Sequence, residues 1–238
     1  MKKAILIICF GNKNVDEEVK KLKEKIVKSF YNYDIYVCFT SSFFIKKYGY
    51  NLYDILDNLY TQGYEDILCL SLFTIDGIEY EKTLFCINKY KTKFKRIKIS
   101  SPLLHNETGF FDIYNFIKNN YDDDNLIYIC HGTDDKSDYK YKKLFSMFKD
   151  ENLFFANLES IPYIEDTIKI LNKKNINSVC IKPFLLFNGK HIQKDISYNI
   201  KNKLIDNNIN VTLRLKPLLQ YDEIVDIFIK RLMESKEI

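Results

Sequence analysis

The 238-residue sequence predicts an α/β protein of two similar lobes, each a parallel sheet flanked by helices. Three observations predict it. Strand-like apolar runs alternate strictly with segments of helical period, the pattern of crossover units. Several runs are continuously apolar, as strands buried on both faces are. The two halves also repeat each other. AILIICFGN, ending in Phe10-Gly11-Asn12, parallels LIYICHGT, ending in His131-Gly132-Thr133. DILCLSLFTIDGIEYEK parallels SVCIKPFLLFNGKHIQK, with Gly77 against Gly189, and SPLL parallels KPLL, with Pro102 against Pro217. A helix of D-I-(x)-F-I-K type follows each of the last pair. The matches keep one order, and small loop insertions account for their slight drift.

Taken in order, strands are expected at about 3–9, 34–39, 66–73, 95–100, 126–130, 153–158, 178–186 and 209–214. Helices are expected at 15–30, 52–62, 78–92, 110–120, 137–149, 162–173, 190–206 and 221–234. In the first of these, Val19, Leu22, Ile26 and Phe30 recur at helical spacing on an otherwise charged stretch. Tyr121-Asp122-Asp123-Asp124-Asn125 is the expected boundary. It gives an N-terminal lobe over 1–122 and a C-terminal lobe over 123–238, with an active-site cleft between them.

Lys and Arg number 36 against 32 Asp and Glu, and the charges are interleaved, so no nucleic-acid footprint is indicated. Cys9, Cys38, Cys69, Cys86, Cys130 and Cys180 stand singly, without C-x-x-C spacing, and read as buried reduced thiols of a cytoplasmic protein. MKKAILIICF superficially resembles a signal peptide. Its apolar run is short, however, and no small-x-small cleavage site follows, so it reads as the first strand. No apolar run approaches the roughly 20 residues of a membrane span.

The chemistry is expected at LIYICHGT, where a buried strand stops at His131-Gly132. The carboxyl ends of strands are where open α/β sheets hold ligands. In the repeat, His131 replaces Phe10, Glu159 stands where Thr40 stands, and His191 matches Glu79. Two imidazoles and a carboxylate suit a divalent first-row metal. Equally, each histidine could be a strand-end residue bonded to backbone, and each glutamate a helix N-terminal carboxylate. His105 falls in a loop and is expected on the surface. No G-x-x-x-x-G-K-[ST] or G-x-G-x-x-G occurs, so a phosphate-cradling loop is absent.

The runs KKAILIICFGN, FTSSFFIKKYG, GYEDILCLSLFTIDGIEYEK, ICHGT, LESIP and KPFLLFNGKHIQKDI span nearly the whole chain. Together they resemble the anaerobic sirohydrochlorin cobaltochelatases, members of the class II tetrapyrrole chelatases. The resemblance implies two α/β lobes with the tetrapyrrole between them. It implies insertion of Co2+ into sirohydrochlorin, a precorrin-2-derived tetrapyrrole, in anaerobic cobalamin biosynthesis. His131 would be proton acceptor and metal ligand, Glu159 and His191 would complete the metal site, and Glu79 would be the catalytic carboxylate of the facing lobe. No cofactor is implied beyond the substrate ion, whether Co2+, Fe2+ or Ni2+. A homo-oligomer is compatible with the resemblance; a nucleic-acid or membrane partner is not expected. Sirohydrochlorin ferrochelatase for sirohaem, or a non-catalytic metal or tetrapyrrole carrier, would use the same ligands.

The sequence departs from that pattern in places. Asp134-Asp135-Lys136 follows the H-G-T where relatives often carry further histidines, Phe73 stands where many have a histidine, and the G-D-H-A loop is Gly189-Lys190-His191-Ile192. Sirohydrochlorin bears many carboxylates, and Lys46, Lys47, Lys190 and Lys194 lie near the motifs as candidates to meet them. Histidine suits metal insertion because imidazole can ligate weakly and take up a proton near neutrality.

Overall fold

The structure is a computed structural model describing residues 1–49, 51–121, 125–148 and 152–237. The chain forms two compact units, Met1–Gly109 with Asp222–Ile238, and Phe110–Tyr221. The first contains β1 (Lys2–Cys9), α1 (Val15–Glu18), α2 (Lys20–Ser29), β2 (Asp34–Phe39), α3 (Ser42–Tyr48), α4 (Leu52–Thr61), β3 (Tyr64–Ser71), α5 (Ile78–Asn88) and β4 (Arg96–Ile99). Helix α6 (Glu107–Asn119) leads into the second unit. There follow β5 (Leu126–Cys130), α7 (Tyr139–Ser146), β6 (Leu153–Asn157), α8 (Ile164–Lys173), β7 (Ser178–Phe184), a π-helix (His191–Ile200), α9 (Lys201–Ile205) and β8 (Asn210–Leu213). The chain ends with α10 (Asp222–Met233) and β9 (Lys236–Glu237).

The first sheet runs β2-β1-β3-β4-β9 and the second β6-β5-β7-β8. Apart from β9, every strand pair is parallel. Both units therefore place their first strand between the second and third, which is the repeat seen in the sequence expressed as topology. Beyond Lys2 and Lys3, each unit's first strand is apolar because helices cover both faces of its sheet. Ala4 through Cys9 and Leu126 through Cys130 are buried. In the first unit Ala4, Leu6 and Ile8 meet Leu52, Leu56 and Leu59 of α4 and Cys86 and Ile87 of α5. In the second, Ile127 and Ile129 meet Ile164, Ile168 and Leu171 of α8 and Ile192, Ile196 and Ile200 of the π-helix. Alternation along the strand sends Tyr128 to the other face, where it packs with Phe155 and Phe184, and Phe145 stacks on Phe155 at 4.3 Å.

Four features differ from expectation. The C-terminal segment, assigned by sequence to the second lobe, belongs to the first unit. Helix α10 buries Ile224, Val225, Phe228 and Leu232 and packs against α2 and β3. Its first turns are tied by Lys21 to Asp222 at 3.0 Å and Lys25 to Asp226 at 2.6 Å, and β9 pairs antiparallel with β4. The expected boundary at 122/123 lies outside the described residues, as does residue 149 at the end of the helix expected over 137–149. The helix expected at 15–30 is broken at Val19, whose φ and ψ are −94° and 4°. Helix α3 is additional; it ends at Gly49, whose φ of +75° favours glycine. The segment expected as one helix over 190–206 is a π-helix followed by α9.

A buried ion pair links β3 to β4. Asp66 is fully buried, accepts from Arg96 Nε at 2.8 Å and from the Tyr33 hydroxyl at 2.8 Å, and meets Arg96 Nη2 as well. Burial alone would raise the Asp66 carboxyl, but the hydrogen bonds from Arg96 and Tyr33 outweigh it and hold it below its ordinary value. Its contribution is therefore full above the unfolded carboxylate range and is lost as pH falls through the lowered folded value. Asp66→Asn is expected to lower stability by about 2 kcal/mol at neutral pH, since Arg96 keeps some solvent contact. In urea unfolding, the gap to wild type should begin to close below about pH 4. A gap independent of pH would remove the ion pair from this account.

Candidate metal centre

Strand β5 ends at Cys130 and the chain turns through Gly132 at φ +72°. A Cβ here would stand 2.4 Å from Ser160 Oγ and 2.8 Å from Asn157 Cβ, so both conformation and space require glycine. The close approach joins the loops after β5 and β6. The His131 carbonyl accepts from the N–H groups of Leu158 at 3.1 Å and Glu159 at 2.9 Å. These bonds carry the two side chains to one edge, with His131 Nδ1 3.6 Å from Glu159 Oε2.

Beneath them lies a buried polar network. Asn157 Nδ2 donates to Ser160 Oγ at 2.8 Å, and Ser160 Oγ donates to Asp138 Oδ1 at 2.6 Å. The Thr133 N–H donates to that same oxygen at 3.2 Å, and Lys142 pairs with Asp138 at 3.1 Å. Because Asp138, Asn157 and Ser160 are all buried, breaking one bond strands another polar group away from water.

His191 arrives from the third strand of the unit, opening the π-helix after β7. Its ring centroid lies 5.0 Å from that of His131, the planes nearly perpendicular at 86°. One ligand atom from each of His131, Glu159 and His191 lies within 4.8 Å of the others, and among the described residues no other trio of His, Cys, Asp or Glu converges in this way. The side chains are 41%, 54% and 41% exposed, so the cluster is open to solvent.

One hydrogen-bond partner at each ring assigns its proton. His131 Nδ1 is 2.8 Å from the Gly132 carbonyl, which can only accept, so Nδ1 donates and Nε2 keeps the lone pair of the neutral ring. His191 Nδ1 is 2.9 Å from Asp195 Oδ2, with the same consequence.

Of the four residues singled out by sequence, three thus meet in the second unit. Glu79 is in the first unit, in the opening turn of α5, and is not part of that trio. Its Oε1 accepts from Lys82 at 2.7 Å, and its Oε2 is buried without a hydrogen-bond partner. Phe10, the repeat counterpart of His131, is 52% exposed at the end of β1. His105 is exposed, as expected, with Nδ1 3.0 Å from Asp76 Oδ2. Lys46, Lys47, Lys190 and Lys194 are exposed. All six cysteines are free and buried; burial pushes Cys9 up to about 12 and Cys86 up to about 11, so neither offers a thiolate at neutral pH. Sequence reasoning passed over Asp195 and the Asp138–Ser160–Asn157 network. The first carries a signal, its place four residues after His191 in a helical segment; the second carries none.

Two α/β units of like topology, with an open His-His-Glu cluster at the strand ends of one, define a chelatase-type protein. The fold matches a structure of SirB from Bacillus subtilis with Fe3+ at a TM-score of 0.69 and 17% identity, over 98% of this chain and 95% of that one. A structure of the sirohydrochlorin chelatase SirB from Bacillus subtilis subspecies spizizenii in complex with cobalt matches at 0.67 and 16%, over the same shares. The cobalt chelatase (CbiK) family model matches residues 3–237, and the chain belongs to that family. A sirohydrochlorin cobaltochelatase of Salmonella typhimurium is 24% identical over 213 residues, 83% of this chain and 81% of that protein. Among the described residues no helix is long and apolar enough to cross a membrane.

Gly132→Ala is expected to force the two loops apart, lowering stability by about 1–3 kcal/mol. Calorimetric titration with Co2+ should show weaker binding in the same variant. Wild-type melting together with wild-type affinity would show that the approach at Gly132 does not hold the cluster.

Proposed function

We propose that the protein is a sirohydrochlorin cobaltochelatase, inserting Co2+ into sirohydrochlorin in anaerobic cobalamin biosynthesis. One observation carries the site assignment: His131, Glu159 and His191 converge in a chain of the cobalt chelatase family. The substrate assignment is supported by the Salmonella typhimurium relative. The free, buried cysteines fit a reducing compartment, and we assign the enzyme to the cytoplasm.

Insertion replaces two pyrrolic N–H protons with one divalent ion, giving the metallated ring and two protons. In our reading the ion is held by Nε2 of His131, Nε2 of His191 and the Glu159 carboxylate. Two neutral donors and one anion leave a net positive charge on the centre, so the ion is retained yet remains attractive to the ring nitrogens. As it transfers, the Nε2 lone pair of His131 is released and accepts one pyrrolic proton. We assign Glu79 as the acceptor of the other. The donor set accepts Co2+, Fe2+ and Ni2+ alike, and the family description favours cobalt. Lys46, Lys47, Lys190 and Lys194 are assigned to the substrate carboxylates.

With sirohydrochlorin and excess Co2+, the visible spectrum should change over many turnovers per protein; a change that stops at one equivalent would make the protein a carrier. Fe2+ under anaerobic conditions should turn over more slowly. His131→Ala is expected to lower kcat by at least about 100-fold with the fold intact, and wild-type turnover would remove His131 from the mechanism. His191→Ala and Glu159→Ala should each weaken Co2+ binding in equilibrium dialysis. Unchanged affinity in both would put the ligands elsewhere.

A further inference from the structure

The two imidazoles of the cluster are held by different acceptors. His131 Nδ1 lies 2.8 Å from the carbonyl of its own neighbour, with the Glu159 carboxylate beyond hydrogen-bond range at 3.6 Å, whereas His191 Nδ1 lies 2.9 Å from a carboxylate. Asp195 is engaged at both oxygens, since Oδ1 also accepts from Asn199 Nδ2 at 3.1 Å, so it acts on the ring rather than on the ion. Side chains four residues apart share one face of this helical segment. Ile192, Ile196 and Ile200 form one such row, all buried against the second unit's core. His191, Asp195 and Asn199 form the row immediately before it, fixed in phase by that anchorage.

We propose that Asp195 is a positioning residue that makes His191 the anchoring ligand and leaves His131 as the ligand that lets go. The inference rests on the reading above that the ion binds both rings. A carboxylate accepting from Nδ1 fixes the tautomer, stops the ring from turning, and strengthens Nε2 as a donor. The Gly132 carbonyl fixes the tautomer of His131 with less electron donation. During transfer the bond to His131 therefore breaks first, freeing its lone pair for the pyrrolic proton while His191 still holds the ion.

The test uses the full chain without metal, then with Co2+. The sequence has three histidines, so long-range 15N–1H NMR above the imidazole titration range resolves each ring. Wild type should show the Nδ1–H form at His131 and His191. Asp195→Ala should move His191 toward Nε2–H, leave His131 unchanged, and raise the Kd for Co2+ by about 10- to 100-fold. In turnover its KM for Co2+ should rise by a similar factor while kcat changes less. Asp195→Asn, whose amide oxygen still accepts, should keep the tautomer and bind Co2+ with intermediate affinity. An unchanged His191 tautomer with Kd within twofold of wild type in Asp195→Ala would overturn the proposal, as would a fall in kcat at constant KM. If circular dichroism shows that Asp195→Ala disrupts the helix, Asp195→Asn decides alone, and wild-type affinity there overturns it. The tautomer measurement needs neither metal nor macrocycle, so a failure of the chelatase reading would be recognised separately, by wild-type protein that binds Co2+ without turnover.

Discussion

The contact on which the candidate site depends is made by backbone, not by the side chains that converge there. Strands β5 and β6 are parallel neighbours in register from Leu126 with Leu153 to Cys130 with Asn157. Their exits meet where the His131 carbonyl takes two N–H groups from Leu158 and Glu159, and this requires that Gly132 have no Cβ. Parallel strands deliver all their carboxyl ends to one edge, so three residues distant in sequence arrive together without long connecting loops. The order β6-β5-β7 then sets His131 in the middle, with Glu159 and His191 coming from either flank.

This arrangement separates rigidity from reactivity. The loops are locked by buried bonds among Asp138, Asn157, Ser160 and Thr133, while the side chains of His131, Glu159 and His191 remain partly exposed. A structural metal site closes its coordination sphere around the ion. A protein that must pass its ion onward needs the reverse: fixed directions for the donors, few of them, and an open side. Nitrogen and oxygen donors, with the sulfurs withdrawn into the core as protonated thiols, serve that need.

Sequence revealed much of the fold because burial on both faces leaves an unmistakable trace. AILIIC and LIYIC could be little else than central parallel strands, and the repeated segments proved to be sheets of the same strand order. Amphipathic helices are more ambiguous. The apolar face of α10 says that it is buried but not against which sheet, and the partners that settle it, α2 and β3, lie near the other end of the chain. SFFIKKY is too short for its period to be counted, so α3 was not foreseen. Spacing of four in Ile192, Ile196 and Ile200 reads as an ordinary helix, although the backbone is wound more loosely. In the cluster, His131, Glu159 and His191 stood out as polar residues where strands stop. Asp195 did not, because its meaning depends on the phase of the helix, and the Asp138 network did not, because its members are ordinary loop residues until the fold assembles them.

The return of α10 and β9 to the first unit bears on how the protein emerges from the ribosome. Phe110–Tyr221 is fully synthesised before the residues that complete the unit begun first, so the earliest sheet to start is the last to be finished. Until Asp222 and its successors appear, the surfaces of α2 and β3 that α10 covers stay open, and a nascent chain stalled there would present a ready target for chaperones.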